Sequence, residues 1–73
     1  MKDWREQYNY VGRFYEGKAR VQKGDKWGHV DRNGKVKTPI IYDYVGHFFD
    51  GRAIVNKGDK WGHIDKNHNT TYL

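Results

Sequence analysis

The sequence predicts an all-β fold of two tandem repeats of about 34 residues, each a small three-stranded antiparallel meander. Laid over residues 42–73, residues 8–39 are identical at 17 of 32 positions. Alternating apolar residues, as in "ARVQK" and "AIVNK", have the period of a strand rather than of a helix. Glycine-containing turn sequences separate these segments. A fixed period of this length is typical of stacked supersecondary units.

The predicted elements follow the same order in both repeats. In the first repeat, strands are expected at about 18–23, 26–31 and 35–38, with an extension through "IIYDYV". "KGDK" places a two-residue Gly-Asp loop between strands, and in "DRNGK" Gly34 is free to take a positive φ. "GHFFDG" predicts a compact loop or a single helical turn. Pro39, which has no N–H to donate, is expected at an edge or bend.

The chain of 73 residues predicts a single domain, residues 1–73. Residues 1–7 form an N-terminal cap, residues 8–41 the first repeat (unit 1) and residues 42–73 the second (unit 2), which has an atypical end. A domain this small is not expected to enclose a catalytic cleft, and it has no cysteine for disulfide support. No apolar run predicts a signal peptide or a membrane span, so a cytoplasmic location is expected, with a fragment of an exported protein as the alternative.

The segment "GRAIVNKGDKWGHIDKNH", preceded by "PIIYDYVGHF", resembles the bacterial WG-containing repeat, also called the KWG repeat. The resemblance covers nearly all of residues 8–73. It implies an all-β tandem module, often found in long arrays in bacterial and phage-related proteins, without assigned catalytic residues. The chain departs from this pattern in having two units, in a degraded final turn, and in His29 and His63, where an aromatic residue is usual.

The aromatic residues and glycines of the repeat are predicted to be structural. With few aliphatic residues, the domain is expected to bury its rings as core, and a glycine beside each Trp admits a close approach of ring or backbone. The alternative is that the two Trp side chains are exposed stacking platforms for bases or sugars. The predicted structural residues are Trp27, Gly28, Trp61, Gly62, Phe14, Phe48 and Gly34.

Basic side chains recur around the two Gly-Asp turns and predict one basic edge of the molecule. The formal net charge of +5 favours anionic partners, although acidic residues are interspersed. Lys on short β-units also protects strand edges from aggregation, which is the alternative role. The candidate partner-binding residues are Arg20, Lys23, Lys26, His29, Lys57, Lys60 and His63.

Two His-x-Asp pairs, His29 with Asp31 and His63 with Asp65, each lie on one face of a strand. Brought together, they would offer a His2Asp2 metal site. The simpler interpretation is that each Asp bonds the backbone amides of its turn while each His replaces a packing ring. No metal or cofactor is therefore predicted, and a chain without Ser has no Ser-His-Asp triad.

The sequence favours a non-enzymatic protein-binding module, a small inhibitor or adaptor that covers an acidic surface of its partner. Two alternatives stay open: a nucleic-acid-binding module that uses the Lys-flanked turns and aromatic side chains, and a structural unit of a longer array. A protein is the expected partner, nucleic acid and self-association are the alternatives, and membrane binding is not expected.

Overall fold

Two four-stranded antiparallel sheets follow one another along the chain in a computed structural model that describes residues 3–73. The first sheet contains β1 (Tyr10–Tyr15), β2 (Lys18–Lys23), β3 (Lys26–Asp31) and β4 (Val36–Tyr42). The second contains β5 (Tyr44–Val45), β6 (Arg52–Lys57), β7 (Lys60–Asp65) and β8 (Thr70–Tyr72). Each strand pairs with the next along the chain, which confirms the predicted all-β fold of tandem meanders.

Each meander has four strands, not the three predicted from the sequence. The additional strand precedes the other three and is long in unit 1, where residues 10–15 form β1. Glu16 and Gly17 join it to β2 with φ values of +54° and +79°, the double positive φ of a type I′ hairpin turn. In unit 2 the corresponding segment, 46–49, is irregular after the short β5, and it joins β6 through the Gly46 amide, which donates to Ile54, and through a bridge between Phe49 and Arg52.

The predicted turns form where glycine allows them. Gly24 and Gly58 open the two Gly-Asp hairpins with φ of +65° and +64°. In the "DRNGK" turn, Gly34 has φ +82°, and a Cβ there would collide with the ring of Trp4. His68 occupies the same place in unit 2 with φ +68°, a conformation that costs energy for a residue with a Cβ.

The glycine of each Trp-Gly pair stands where a neighbouring strand passes too close for a side chain. Between the pairings of Trp27 with Tyr42 and of His29 with Thr38, one residue of β3 faces three residues of β4, so β4 bulges. A Cβ on Gly28 would lie 2.5 Å from the carbonyl oxygen of Thr38. At Gly62 the backbone of β8 approaches in the same way. Pro39 lies in the bulge of β4, an edge strand, as its missing N–H predicts.

The buried core is divided into two clusters, one for each sheet. The first contains Ala19, Val21 and Val30, with partly buried side chains packed against it, among them Trp4 and Phe14. The second is larger and contains Tyr42, Val45, Phe48, Ala53, Val55 and Ile64. Trp27 from β3 of the first sheet packs against this second cluster. The core of unit 2 is therefore partly built by unit 1.

A short 3-10 helix, Trp4–Gln7, lies over the exposed end of unit 1 and forms most of the predicted cap, whose residues 1 and 2 lie outside the described residues. Its Trp4 ring packs edge-on against Tyr8 and Phe14, with centroid distances of 6.3 Å and 6.4 Å. Asp3 starts the helix by accepting a hydrogen bond from the amide of Arg5. Within residues 3–73, no helix has the length and apolar character that a membrane crossing requires.

Candidate interaction site

One side of unit 1 packs against unit 2, and we call it the forward face of a unit. In unit 1 it carries Tyr15, Glu16, Lys18, Arg20, Lys26, Trp27 and His29. The side of unit 2 that receives it is called the rear face. It carries Asp43, Val45, Gly46, His47, Phe48 and the Asp50–Gly51 turn. These two faces determine where the predicted binding residues lie.

Arg20 lies between the units instead of on an outer surface. Its Nη1 donates a hydrogen bond of 3.1 Å to the carbonyl oxygen of Val45. The guanidinium carbon also lies 5.2 Å from the ring centroid of Trp27, 5.8 Å from that of Tyr10 and 6.0 Å from that of Tyr44. Cations over aromatic faces are attracted by the ring quadrupole. Arg20 therefore joins the two units.

His29 is fully buried in the same junction. Its Nε2 lies 2.8 Å from the carbonyl oxygen of Gly46 and must donate, because a carbonyl only accepts. Its ring meets Phe48 edge-on at 4.7 Å. Burial lowers the pKa of His29 from 6.5 to about 4, against the opposing effect of the Gly46 hydrogen bond. His29 is therefore a neutral packing residue near pH 7, and of the two histidines only His63 is partly exposed.

Lys26 is also engaged inside the molecule. Its Nζ lies 2.6 Å from Oδ1 of Asp43, and this partner raises the pKa of Lys26 and lowers that of Asp43. Oδ2 of Asp43 accepts a hydrogen bond of 2.7 Å from the amide of Gly58. One carboxylate thus links β3 of unit 1 to the Gly-Asp turn of unit 2. In unit 1, Asn9 Oδ1 accepts from the Gly24 amide at 2.6 Å in the same way.

The three remaining lysines of the predicted basic edge are exposed. Lys57 and Lys60 line a surface cavity of about 530 Å³ together with Lys26 and Tyr72. Asp43 and Asp59 line the same cavity, so positive and negative charges alternate there. Lys23 lies at the end of β2, and the cavity does not include it among its lining residues. The structure therefore brings only part of the predicted edge together.

Each His-x-Asp pair divides between packing and turn formation. Asp31 Oδ1 accepts hydrogen bonds from the amides of Asn33 and Lys35, at 2.8 Å and 3.0 Å. These bonds, that of Lys35 first, hold the pKa of Asp31 below its ordinary value. Asp65 caps the second turn through Asn67 and Asn69. Residues 3–73 contain no group of three or more His, Cys, Asp or Glu side chains that could hold a metal ion.

Glu16 binds a turn of unit 2 through both oxygens of its carboxylate. Oε2 accepts from the amide of Asp50 at 2.6 Å, and Oε1 accepts from the amide of Gly51 at 2.9 Å. A carboxylate that accepts two backbone hydrogen bonds fixes the distance and angle between the elements it joins. The contact repeats the period of the sequence, because Asp50 is the counterpart of Glu16. Sequence reasoning missed Glu16, although the matching acids at 16 and 50 were a signal for it.

The forward face of unit 2 is open to solvent. Phe49, Ile54 and Trp61 are 74%, 56% and 51% exposed, whereas Trp27, the counterpart of Trp61, is partly buried against the core of unit 2. A cavity of about 630 Å³ opens on this face beside Phe49 and Ile54 and extends to the rear-face residues Gly46 and His47. It is lined by Tyr44, Gly46, His47, Phe49, Asp50, Arg52, Ala53, Ile54 and His63. Predicted as structural, Trp61 packs at 6.1 Å from Tyr44 but keeps half of its surface accessible.

The matching cavity of unit 1 is much smaller, and unit 2 closes it. It has a volume of about 190 Å³ and is lined by Tyr10, Arg13, Tyr15, Arg20 and His47. The first four residues are the counterparts of Tyr44, His47, Phe49 and Ile54. The fifth lining residue, His47, belongs to unit 2. The large cavity on unit 2 therefore corresponds to a junction that is filled in unit 1. The sequence offered a signal for it, the exchange of Arg20 for Ile54 within otherwise similar strands.

Comparison with known proteins agrees with the repeat. A family model described as the WG containing repeat matches residues 7–27 and again residues 27–61. No curated protein and no solved structure shows significant similarity to the chain.

Proposed function

Because the chain belongs to the family of the WG containing repeat, we propose that it is a non-enzymatic module that binds another protein, as a small inhibitor or adaptor. The binding surface is the forward face of unit 2. A repeat module of this kind offers one surface per unit, and in unit 1 that surface is used inside the chain.

The exposure of the forward face of unit 2 is the observation that carries this proposal. Phe49, Ile54 and Trp61 are all more than half exposed and belong to the same face. Neighbouring exposed apolar side chains on a small soluble domain are typical of interaction surfaces. Aromatic residues in particular are enriched at the centres of protein interfaces. The cavity beside Phe49 and Ile54 gives this face the concave shape that can receive a side chain of a partner.

Charge at the rim of this face favours an acidic partner. In unit 1, Lys26 is paired with a carboxylate of the unit it contacts, Asp43. Lys60, its counterpart, is exposed, as is the nearby Lys57. A partner that places a carboxylate where Asp43 lies relative to Lys26 would form the same ion pair. Such charged pairs at a rim mainly speed association and select partners.

The proposal is tested with two matched substitutions of β-branched residues. Ile54 and Val36 are both exposed strand residues, at 56% and 45%, but Val36 lines neither the cavity beside Ile54 nor the one that holds Lys57 and Lys60. We expect Ile54→Glu to lose the proteins that the immobilised natural chain retains from a lysate of the cells that make it. Val36→Glu should retain them. Equal retention by both variants, or catalytic turnover by the purified chain, would contradict the proposal.

Nucleic-acid binding is the second candidate function, favoured by the exposed Trp61 next to Lys60. Rings that stack bases beside lysines that contact phosphates are the usual elements of a single-strand site. Fluorescence anisotropy with labelled single- and double-stranded probes at several salt concentrations tests it. A steep loss of affinity with salt, weakened by Lys60→Ala, would support this function. Absence of binding at low salt would exclude it.

A further inference from the structure

We infer that the partner accommodated by the forward face of unit 2 is a second copy of this chain, which docks the rear face of its unit 1 there. The inference rests on the proposed use of this face for protein binding, and it makes the partner a second copy in place of the acidic protein considered above. It follows from the junction inside the chain, where a forward face and a rear face already bind each other. The forward face of unit 2 and the rear face of unit 1 are the second copies of these two surfaces.

The forward face of unit 2 retains most of the groups that unit 1 uses. Lys60, Trp61 and His63 are identical to their counterparts, and Asp50 replaces Glu16 as the carboxylate for the turn amides. Ile54 and His63 are paired across β6 and β7, as Arg20 and His29 are paired across β2 and β3. The donors and rings therefore have the same backbone placement on both forward faces.

The rear face of unit 1 supplies matching acceptors. Val11, Gly12, Phe14 and Gly17 are identical to Val45, Gly46, Phe48 and Gly51 on the rear face of unit 2. The carbonyl oxygens of Val45 and Gly46 accept from Arg20 and His29. Val11 pairs with Val21 as Val45 pairs with Val55, so the strand that carries these carbonyl groups has the same register in both units.

The N-terminal helix covers this rear face only in part. Trp4 packs against Phe14, yet Phe14 and Val11 remain partly exposed. Their counterparts Phe48 and Val45, which unit 1 covers, are 1% and 0% exposed. Apolar surface therefore remains for a second copy to bury.

Two positions weaken this junction relative to the one inside the chain. Ile54 stands where Arg20 donates to a carbonyl oxygen, and Asn9 stands where Asp43 accepts from Lys26. The association between copies therefore lacks two charged contacts. It joins unlike faces, so it is head-to-tail and grows with concentration instead of closing as a symmetric dimer.

Sedimentation velocity over a range of protein concentrations tests the inference. We expect the natural chain to show a concentration-dependent increase in mean mass. Ile54→Arg and Asn9→Asp restore the two charged contacts, and each should tighten association about tenfold. Asn9→Asp keeps an acceptor for the Gly24 amide, as Asp43 does for Gly58. Ile54→Glu and Asn9→Lys should each abolish association while circular dichroism shows the natural fold.

Mixing the two blocked variants shows whether unlike faces meet. The Ile54→Glu chain retains an intact rear face and the Asn9→Lys chain an intact forward face, so their mixture should form a one-to-one heterodimer and nothing larger. The inference is overturned if the Asn9→Asp, Ile54→Arg double variant remains monomeric, or if the mixture does not form the heterodimer. Loss of lysate proteins on Ile54→Glu in that case would leave the proposed protein-binding function standing, with a different partner.

Discussion

Asp43 holds Lys26 of the preceding unit at 2.6 Å and the Gly58 amide of its own unit at 2.7 Å. Oδ1 of this carboxylate thus forms an ion pair between the units, and Oδ2 accepts a hydrogen bond from a turn within unit 2. Asn9, which occupies the same place in unit 1, performs only the turn contact.

Substitutions at Asp43 should separate these two tasks. Asp43→Asn keeps an acceptor for Gly58 and loses the charge opposite Lys26, so we expect a small decrease in thermal stability that salt diminishes. Asp43→Ala removes both contacts and should lower the melting temperature further, with a remainder that salt does not alter. Thermal melts at low and high salt measure both effects. Equal melting temperatures for the two variants would refute the division of tasks.

His29 should make the fold sensitive to mild acid. Its pKa is about 4 in the folded chain and about 6.5 when unfolded, so below pH 6.5 the unfolded state binds the additional proton. The contribution of His29 to the free energy of unfolding is therefore fully present above pH 6.5. It decreases by about 3 kcal/mol as the pH falls towards 4. Denaturant unfolding at several pH values measures the slope.

The variant His29→Phe isolates this effect. It keeps a ring against Phe48 and removes the titrating group, so the decline between pH 6.5 and 4 should become smaller even though the lost Gly46 contact lowers stability at pH 7. His63→Phe is the control, since it measures the change in free energy of unfolding that the same exchange causes at a partly exposed position. The carboxylates of Asp31, Asp43 and Asp65 have pKa values lowered from 3.8, so the stability that they contribute is lost mainly below that pH and not between pH 6.5 and 4. An unchanged slope in His29→Phe would contradict the assignment.

Gly28→Ala should be far more destabilising than Gly24→Ala. A Cβ at Gly28 meets the carbonyl oxygens of Thr38 and Pro39, which are backbone atoms and cannot rotate away. Such overpacking costs about 1–3 kcal/mol or more. At Gly24 nothing lies within 4 Å, and only the positive φ opposes alanine, at about 1 kcal/mol. Urea unfolding of both variants gives the comparison, and equal losses would argue against the close approach of β4.

His68→Gly should stabilise the chain. His68 has a φ of +68°, which glycine adopts without the Cβ penalty, and its counterpart Gly34 has φ +82°. After the additional entropy of an unfolded glycine is subtracted, we expect a gain of about 0.5 kcal/mol in urea unfolding. The control is Lys66→Gly, because Lys66 lies in the same turn, is exposed and is not among the residues with positive φ. A gain at both positions would show that the cause is not the backbone conformation.

The alternation in "ARVQK" predicted β2 correctly because that strand buries one face. β3 buries adjacent residues on both faces, and it was predicted from the turn glycines that mark its ends. The first strand escaped prediction because β1 is interrupted by a register shift between Val11 and Phe14. "EG" and "DG" were available as hairpin signals at its end.

The division of the basic residues could not be predicted in the same way. Composition identifies Arg20 and Lys26 as cations, but their partners, Val45 and Asp43, are distant in sequence and come close only when the units stack. The exposed forward face of unit 2 likewise depends on which copy of a repeated surface meets another unit. The segment "KGDKWGH" is identical in both copies and does not distinguish them, whereas the exchange of Arg20 for Ile54 does.

The packing of Trp27 and the hydrogen bonds of Glu16 to the Asp50–Gly51 turn affect the cooperativity of unfolding. Cutting the chain between β4 and β5 would remove from the second core cluster the rings of Trp27 and Tyr42, and from the Asp50–Gly51 turn the carboxylate of Glu16. Each repeat is thus a unit of sequence but not a unit of folding. Because unfolding of one sheet exposes the interior of the other, we expect the whole chain to melt in a single transition.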